Sequence, residues 1–90
     1  MSYALFWSDR ASKDMERLPG HISKRITDKV VSLSENPYRM VERCEGYPYY
    51  HQHIGVYRAV LKIDDSTRLI TVVKVGLRKK VFLIGDLSSP

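Results

Sequence analysis

His51 and His53 are two residues apart in a stretch rich in residues that favour strands. In an extended chain, such a spacing puts both side chains on one face. Two imidazoles with ordinary pKa values of about 6.5 can divide the roles of base and acid near neutral pH. Arg58 follows on the next strand-like run, and Arg78 opens the basic stretch Arg78-Lys79-Lys80. A guanidinium presents a rigid fork of donors that suits phosphate oxygens. Proton transfer beside fixed positive charge is the chemistry these residue types suit, and the basic balance favours a polyanionic partner: nucleic acid, an acidic protein or an anionic membrane surface. The same residues have plainer uses. The histidines can be solvated groups on an exposed strand, Arg58 can pair with an acid inside the fold, and a basic turn is often only wet. A His-x-His pair can also hold zinc, but such a site needs a third and usually a fourth ligand. His21 and Cys44 are the other soft donors and lie far off in sequence, so the residue pattern gives no metal site.

The elements that carry these residues can be read from periodicity. Between His51 and Phe82 lie three strand-like runs, with Asp64-Asp65-Ser66-Thr67 as a turn before the last. In the middle run Tyr57, Ala59, Leu61 and Ile63 point one way, and Arg58, Val60 and Lys62 the other. The third run, Leu69 to Gly76, is apolar on both faces and predicts a central strand covered on each side. Upstream, Tyr3 to Trp7 is long enough for one strand, and Ser8 and Asp9 can cap a helix. Ala11, Met15 and Leu18 make one helical face before Pro19-Gly20 stops it. A second helix starts near His21 or Ile22, with Ile22, Ile26, Val30 and Leu33 as its stripe, Val31 widening it, and Asn36-Pro37 ending it. Tyr38 to Pro48 has no period and reads as a loop, and the tail allows a last short strand through Ile84.

Together these predict one α+β domain over residues 1–90. An N-terminal strand and a two-helix hairpin pack on one face of a small, largely antiparallel sheet. The other face is expected to be at least partly open, with the histidines and cations on it. The 90 residues suit a single modest core. Cys44 is the sole cysteine, so the fold does not depend on an internal disulfide. No apolar run nears the roughly 18 residues of a membrane span, and no basic-then-apolar leader is present, which predicts a cytoplasmic protein with no membrane partner. The net charge of +5 favours a polyanionic partner.

Several pieces of the chain resemble the RelE/ParE superfamily of toxin–antitoxin toxins. They are Gly46-Tyr47-Pro48, Tyr50, the run Val56-Tyr57-Arg58-Ala59-Val60-Leu61, and Val75-Gly76-Leu77-Arg78-Lys79-Lys80-Val81-Phe82. They stand behind a helix pair containing Leu18-Pro19-Gly20-His21-Ile22, and the likeness runs from about Tyr3 to Phe82. In the RelE branch the resemblance implies a messenger RNA endonuclease acting at the ribosome. The ribose 2′-hydroxyl attacks the adjacent phosphate without a metal or other cofactor. Arg58 and Arg78 match the family's phosphate-clamping arginines. His51 and His53 fall where RelE-type enzymes carry two alternating basic residues, and so become the acid–base candidates. Lys79 and Lys80 would grip the RNA backbone. Phe82 stands where the family has a tyrosine; a phenyl ring can stack on a base but cannot move a proton. The implied partner is an acidic, RelB-like antitoxin. The resemblance also covers two other outcomes: a ParE-like toxin that inhibits gyrase by binding, and a degenerate member that binds only its antitoxin.

Overall fold

A computed structural model describes residues 2–78 of the chain. Strand β1 (Ala4–Trp7) leads into helices α1 (Asp9–Glu16) and α2 (Gly20–Val31), followed by β2 (Glu42–Arg43), β3 (Tyr50–Ile54), β4 (Tyr57–Asp64) and β5 (Leu69–Leu77). The strands form one sheet in the order β1-β5-β4-β3-β2. β2 to β5 are an antiparallel meander, and β1 lies parallel to β5 on its free side. The expected α+β architecture is therefore present, with β5 an interior strand between β1 and β4.

The helices begin where their sequences allow. Ser8 caps α1, its Oγ accepting from the Ala11 N–H at 3.1 Å while donating to the Val73 carbonyl at 2.9 Å. One hydroxyl thus satisfies an orphan helix donor and ties the helix to β5. Pro19-Gly20 does more than end the first helix. α2 starts at Gly20, and the Pro19 carbonyl accepts from the N–H groups of Ile22 and Ser23, both at 3.0 Å. The stripe along α2 is buried at Ile26 and Val30 and continues to Leu33 in a 3₁₀ turn, Ser32–Ser34. Val31 does not widen it. It is 47% exposed, because one step from Val30 turns it about 100° around the helix.

The core lies between the helices and one sheet face. Ala11, Ile26, Val30 and Leu33 meet Ile54, Ala59, Leu61, Ile70, Val72 and Val75. Asp14 of α1 reaches across to accept from the Val75 N–H at 3.0 Å, and Gln52 donates to the Lys29 carbonyl of α2 at 3.3 Å. Two features depart from the sequence reading. The Tyr38–Pro48 segment is not wholly a loop, since Glu42 and Arg43 pair with His51 and Tyr50 as the edge strand β2; two residues are too few to show a period. The face away from the helices is also less open than expected at its centre, where Val60 is 2% and Lys74 5% exposed.

The register of β4 on β5 contains a bulge. Val60 pairs with Lys74 but Leu61 pairs with Val72, leaving Val73 as an extra residue. This is why Val72 and Val75, three apart, both join the core: a bulge shifts the alternation of its strand by one. The Ser8 hydrogen bond to Val73 holds that point.

Candidate functional site

Cross-strand pairing places the histidines and Arg58 together. His53 pairs with Arg58, and Arg58 with Gly76; His51 pairs with Val60, and Val60 with Lys74. Residues opposite one another share a face, and the intervening Gln52 is bonded to α2. His51, His53, Arg58, Val60 and Lys74 therefore all lie on the face turned from the helices. The two imidazole rings meet edge to face, centroids 5.0 Å apart. The β3–β4 hairpin that sets this register turns at Gly55, whose φ of +61° favours glycine. A Cβ there would also stand 3.5 Å from the Arg25 guanidinium of α2.

The bulge brings in the last strand's contribution. Beyond Val73 the even-numbered residues of β5 take the histidine face, so Lys74 and Gly76 join it and the chain leaves toward Arg78. The Arg78 N–H donates to the Val56 carbonyl at 2.9 Å, anchoring its backbone beside the hairpin turn.

The electrostatics of the group are one-sided. Burial and the charges of Arg58 and His53 push the His51 pKa below its usual value, against an opposing pull from Glu42. Burial, Arg78 and Arg58 push His53 the same way, again opposed by Glu42. Both imidazoles are thus biased toward the neutral form, ready to accept a proton rather than to hold one. Arg58 and Arg78 act on both rings, so the four sequence candidates form one electrostatic unit.

Sequence reasoning missed three neighbours. Glu42 sits opposite His51 on β2, its Oε2 3.8 Å from His51 Nε2 and 3.7 Å from His53 Nε2. No pattern in the sequence could have paired it, because its strand has two residues. The Cys44 Sγ lies 3.5 Å from His51 Nδ1, and burial raises its thiol pKa; it is an apolar-site thiol with a polar contact. Lys74 is the one charge inside an otherwise apolar strand, and that isolation was its visible mark. His21 lies exposed in the first turn of α2, outside this group. Tyr50 packs edge-on against Tyr38, and Tyr57 against the core, as expected of packing residues. Lys79, Lys80, Phe82 and the strand expected through Ile84 lie outside the described residues.

Residues 5–82 match the family described as ParE toxin of type II toxin-antitoxin system, parDE. The chain belongs to the RelE/ParE superfamily of toxins. As a member of that superfamily it is a toxin of a toxin–antitoxin system. The mRNA interferase toxin RelE of Escherichia coli (strain K12) is 25% identical over 83 residues, covering 89% of this toxin and 87% of RelE. The toxin–antitoxin complex RelBE2 of Mycobacterium tuberculosis contains a chain that matches at 25% identity with a TM-score of 0.79, over 87% of this toxin and 93% of that chain. A free E. coli RelE mutant shares the RelE/ParE fold at 23% identity, with a TM-score of 0.83 over 98% and 96% of the two chains. Among the described residues, no helix is long and apolar enough to cross a membrane.

Proposed function

We propose that this toxin is a messenger RNA endonuclease of the RelE kind, working at the ribosome and neutralised by a RelB-like antitoxin. The observation that carries the reading is the sharing of one sheet face by His51, His53 and Arg58, with the Arg78 charge acting on both imidazoles. In this reading a neutral imidazole, His51 or His53, takes the proton of a ribose 2′-hydroxyl. The oxygen attacks the adjacent phosphorus, the bond to the 5′-oxygen breaks, and the products are a 2′,3′-cyclic phosphate and a 5′-hydroxyl. The imidazolium so formed can return its proton to the leaving oxygen. Arg58 and Arg78 stabilise the charge growing on the phosphoryl oxygens, the term that preorganised charge supplies best. Lys79 and Lys80 grip the RNA backbone and Phe82 stacks on a base. With Phe82 in place of a tyrosine, the imidazoles carry the proton traffic alone.

The relatives support both halves of the proposal. The E. coli relative is named an mRNA interferase, and the M. tuberculosis structure is a toxin–antitoxin complex. A net charge of +5 suits both RNA and an acidic antitoxin. The test is induced expression with mapping of messenger RNA 5′ ends, beside the Arg58→Ala/Arg78→Ala variant. New ends within translated frames, absent from the variant, are expected. Growth arrest without new ends would instead favour inhibition of gyrase by binding, the reading that the ParE description of the family keeps in view. Antitoxin binding with neither effect would mark a degenerate member.

A further inference from the structure

We propose that Glu42, His51 and His53 form a binding site for one transition-metal ion of the zinc class. The site does not depend on the nuclease reading, and an ion held there occupies the imidazole nitrogens that the reading uses for proton transfer, so the ion-bound and proton-transferring states exclude one another. Each of the three residues offers one ligand atom, and these atoms all lie within 4.8 Å of one another. Two of the separations are known individually: Glu42 Oε2 is 3.8 Å from His51 Nε2 and 3.7 Å from His53 Nε2. Bonds of about 2.0–2.1 Å in a tetrahedron set ligands roughly 3.4 Å apart. The two Glu42 separations are within a few tenths of an ångström of that value, and the two imidazole donors, which lie within 4.8 Å of one another, close the remainder by side-chain rotation.

The backbone holds the three donors firmly for a surface site. His51 and His53 are fixed by the period of β3, and Glu42 stands directly across from His51 in the β2–β3 ladder. The residue behind the first ligand is placed as metal sites require. Cys44 Sγ is 3.5 Å from His51 Nδ1, while Nε2 of the same ring is the nitrogen on the Glu42 side; the tautomer that donates Nδ1–H to sulfur leaves Nε2 as the metal donor. A contact of that kind fixes the tautomer and aim of a ligating imidazole. Two imidazoles and one carboxylate leave a coordination position open, as in sites that hold exchangeable zinc or iron(II) rather than structural zinc. Arg58 and Arg78 face the same imidazoles, and their charges lower the affinity for a dication relative to a closed four-ligand site. Among the described residues, Glu42 supplies the opposing charge on both rings. A His-x-His pair alone was no site; the third donor comes from a two-residue strand that only the fold reveals.

The experiment is calorimetric titration of the full chain with Zn²⁺, and with Co²⁺ as a spectroscopic probe. The expected result is one ion per chain, with visible Co²⁺ bands and a melting temperature that rises with Zn²⁺. Glu42→Gln is conservative and exposed, and should weaken binding by more than the roughly 10–100-fold that loss of an outer partner costs. His51→Ala/His53→Ala should abolish the bands. His21→Ala should bind as the unaltered chain does. Circular dichroism of the ion-free variants verifies that each is folded. Binding in the unaltered chain no tighter than in the double histidine variant would overturn the site. So would a Glu42→Gln variant that binds unchanged, or loss of binding in His21→Ala.

Discussion

The two faces of the sheet solve opposite problems. The face under the helices is apolar, with Leu61, Ile70 and Val72 fully buried against Ile26 and Val30. Its few polar groups are bonded into the frame, as Gln52 is to Lys29 and Asp14 to Val75. The other face gathers imidazoles and cations, and each charge there makes the next harder to hold: Arg58 and Arg78 depress both histidines. Proteins rarely bring like charges together unless something negative is to be met. The first face is built to be stable, and the second draws on that stability to hold a charged surface in place.

That contrast can be broken from either side. The largest effect is expected on the charged face, where Arg58→Ala should lower the proposed cleavage by about 10²–10³-fold, as loss of one preorganised donor does elsewhere. Cleavage of a defined message on purified ribosomes measures it, and the melting temperature should stay close to that of the unaltered chain. The mirror change is Leu61→Ala, expected to cost about 2–5 kcal/mol in urea unfolding while leaving the charged groups in place. Asp14→Ala removes the acceptor of the buried Val75 N–H and should cost about 1–3 kcal/mol in the same assay. A result near zero for Asp14→Ala would mean that water replaces the carboxylate.

The smallest effect is pH-dependent and belongs to the charged face alone. His51 and His53 have folded pKa values below the ordinary 6.5. As the pH falls through that value, the unfolded chain takes up protons before the folded one. Stability is then greatest above about pH 6.5 and declines as the pH drops toward the folded values. Unfolding midpoints at about pH 7.5 and about pH 5.5 should differ less in His51→Ala/His53→Ala than in the unaltered chain. An equal difference would assign the loss to other groups.

Much of the frame was legible because it rests on local rules. The Ser8 cap, the α2 stripe and the alternation that sets His51 and His53 on one face all follow from spacing. The pairing of Arg58 with His53 depended on a short hairpin, whose Gly55 was visible in the sequence. What stayed hidden was set by tertiary contact. Glu42 enters through two residues of edge strand, Val31 turns outward by one helical step, and Val60 is covered on a face expected to be open. None of these has a period long enough to read.

The extra residue at Val73 has a consequence for how this toxin can vary. Substituting Val73 alters a half-buried side chain, and a scan of point changes would rank it as ordinary. Deleting it would do something different in kind. It would close the bulge, so that plain alternation keeps Val75 inward and Lys74 and Gly76 opposite Val60 and Arg58 on the histidine face, while Ser8 loses the carbonyl to which it donates. Part of the design is therefore written in the number of paired residues rather than in their identity. Lineages of this fold can lose that one residue and keep both faces of β5, whereas loss of a paired residue elsewhere in the strand exchanges them.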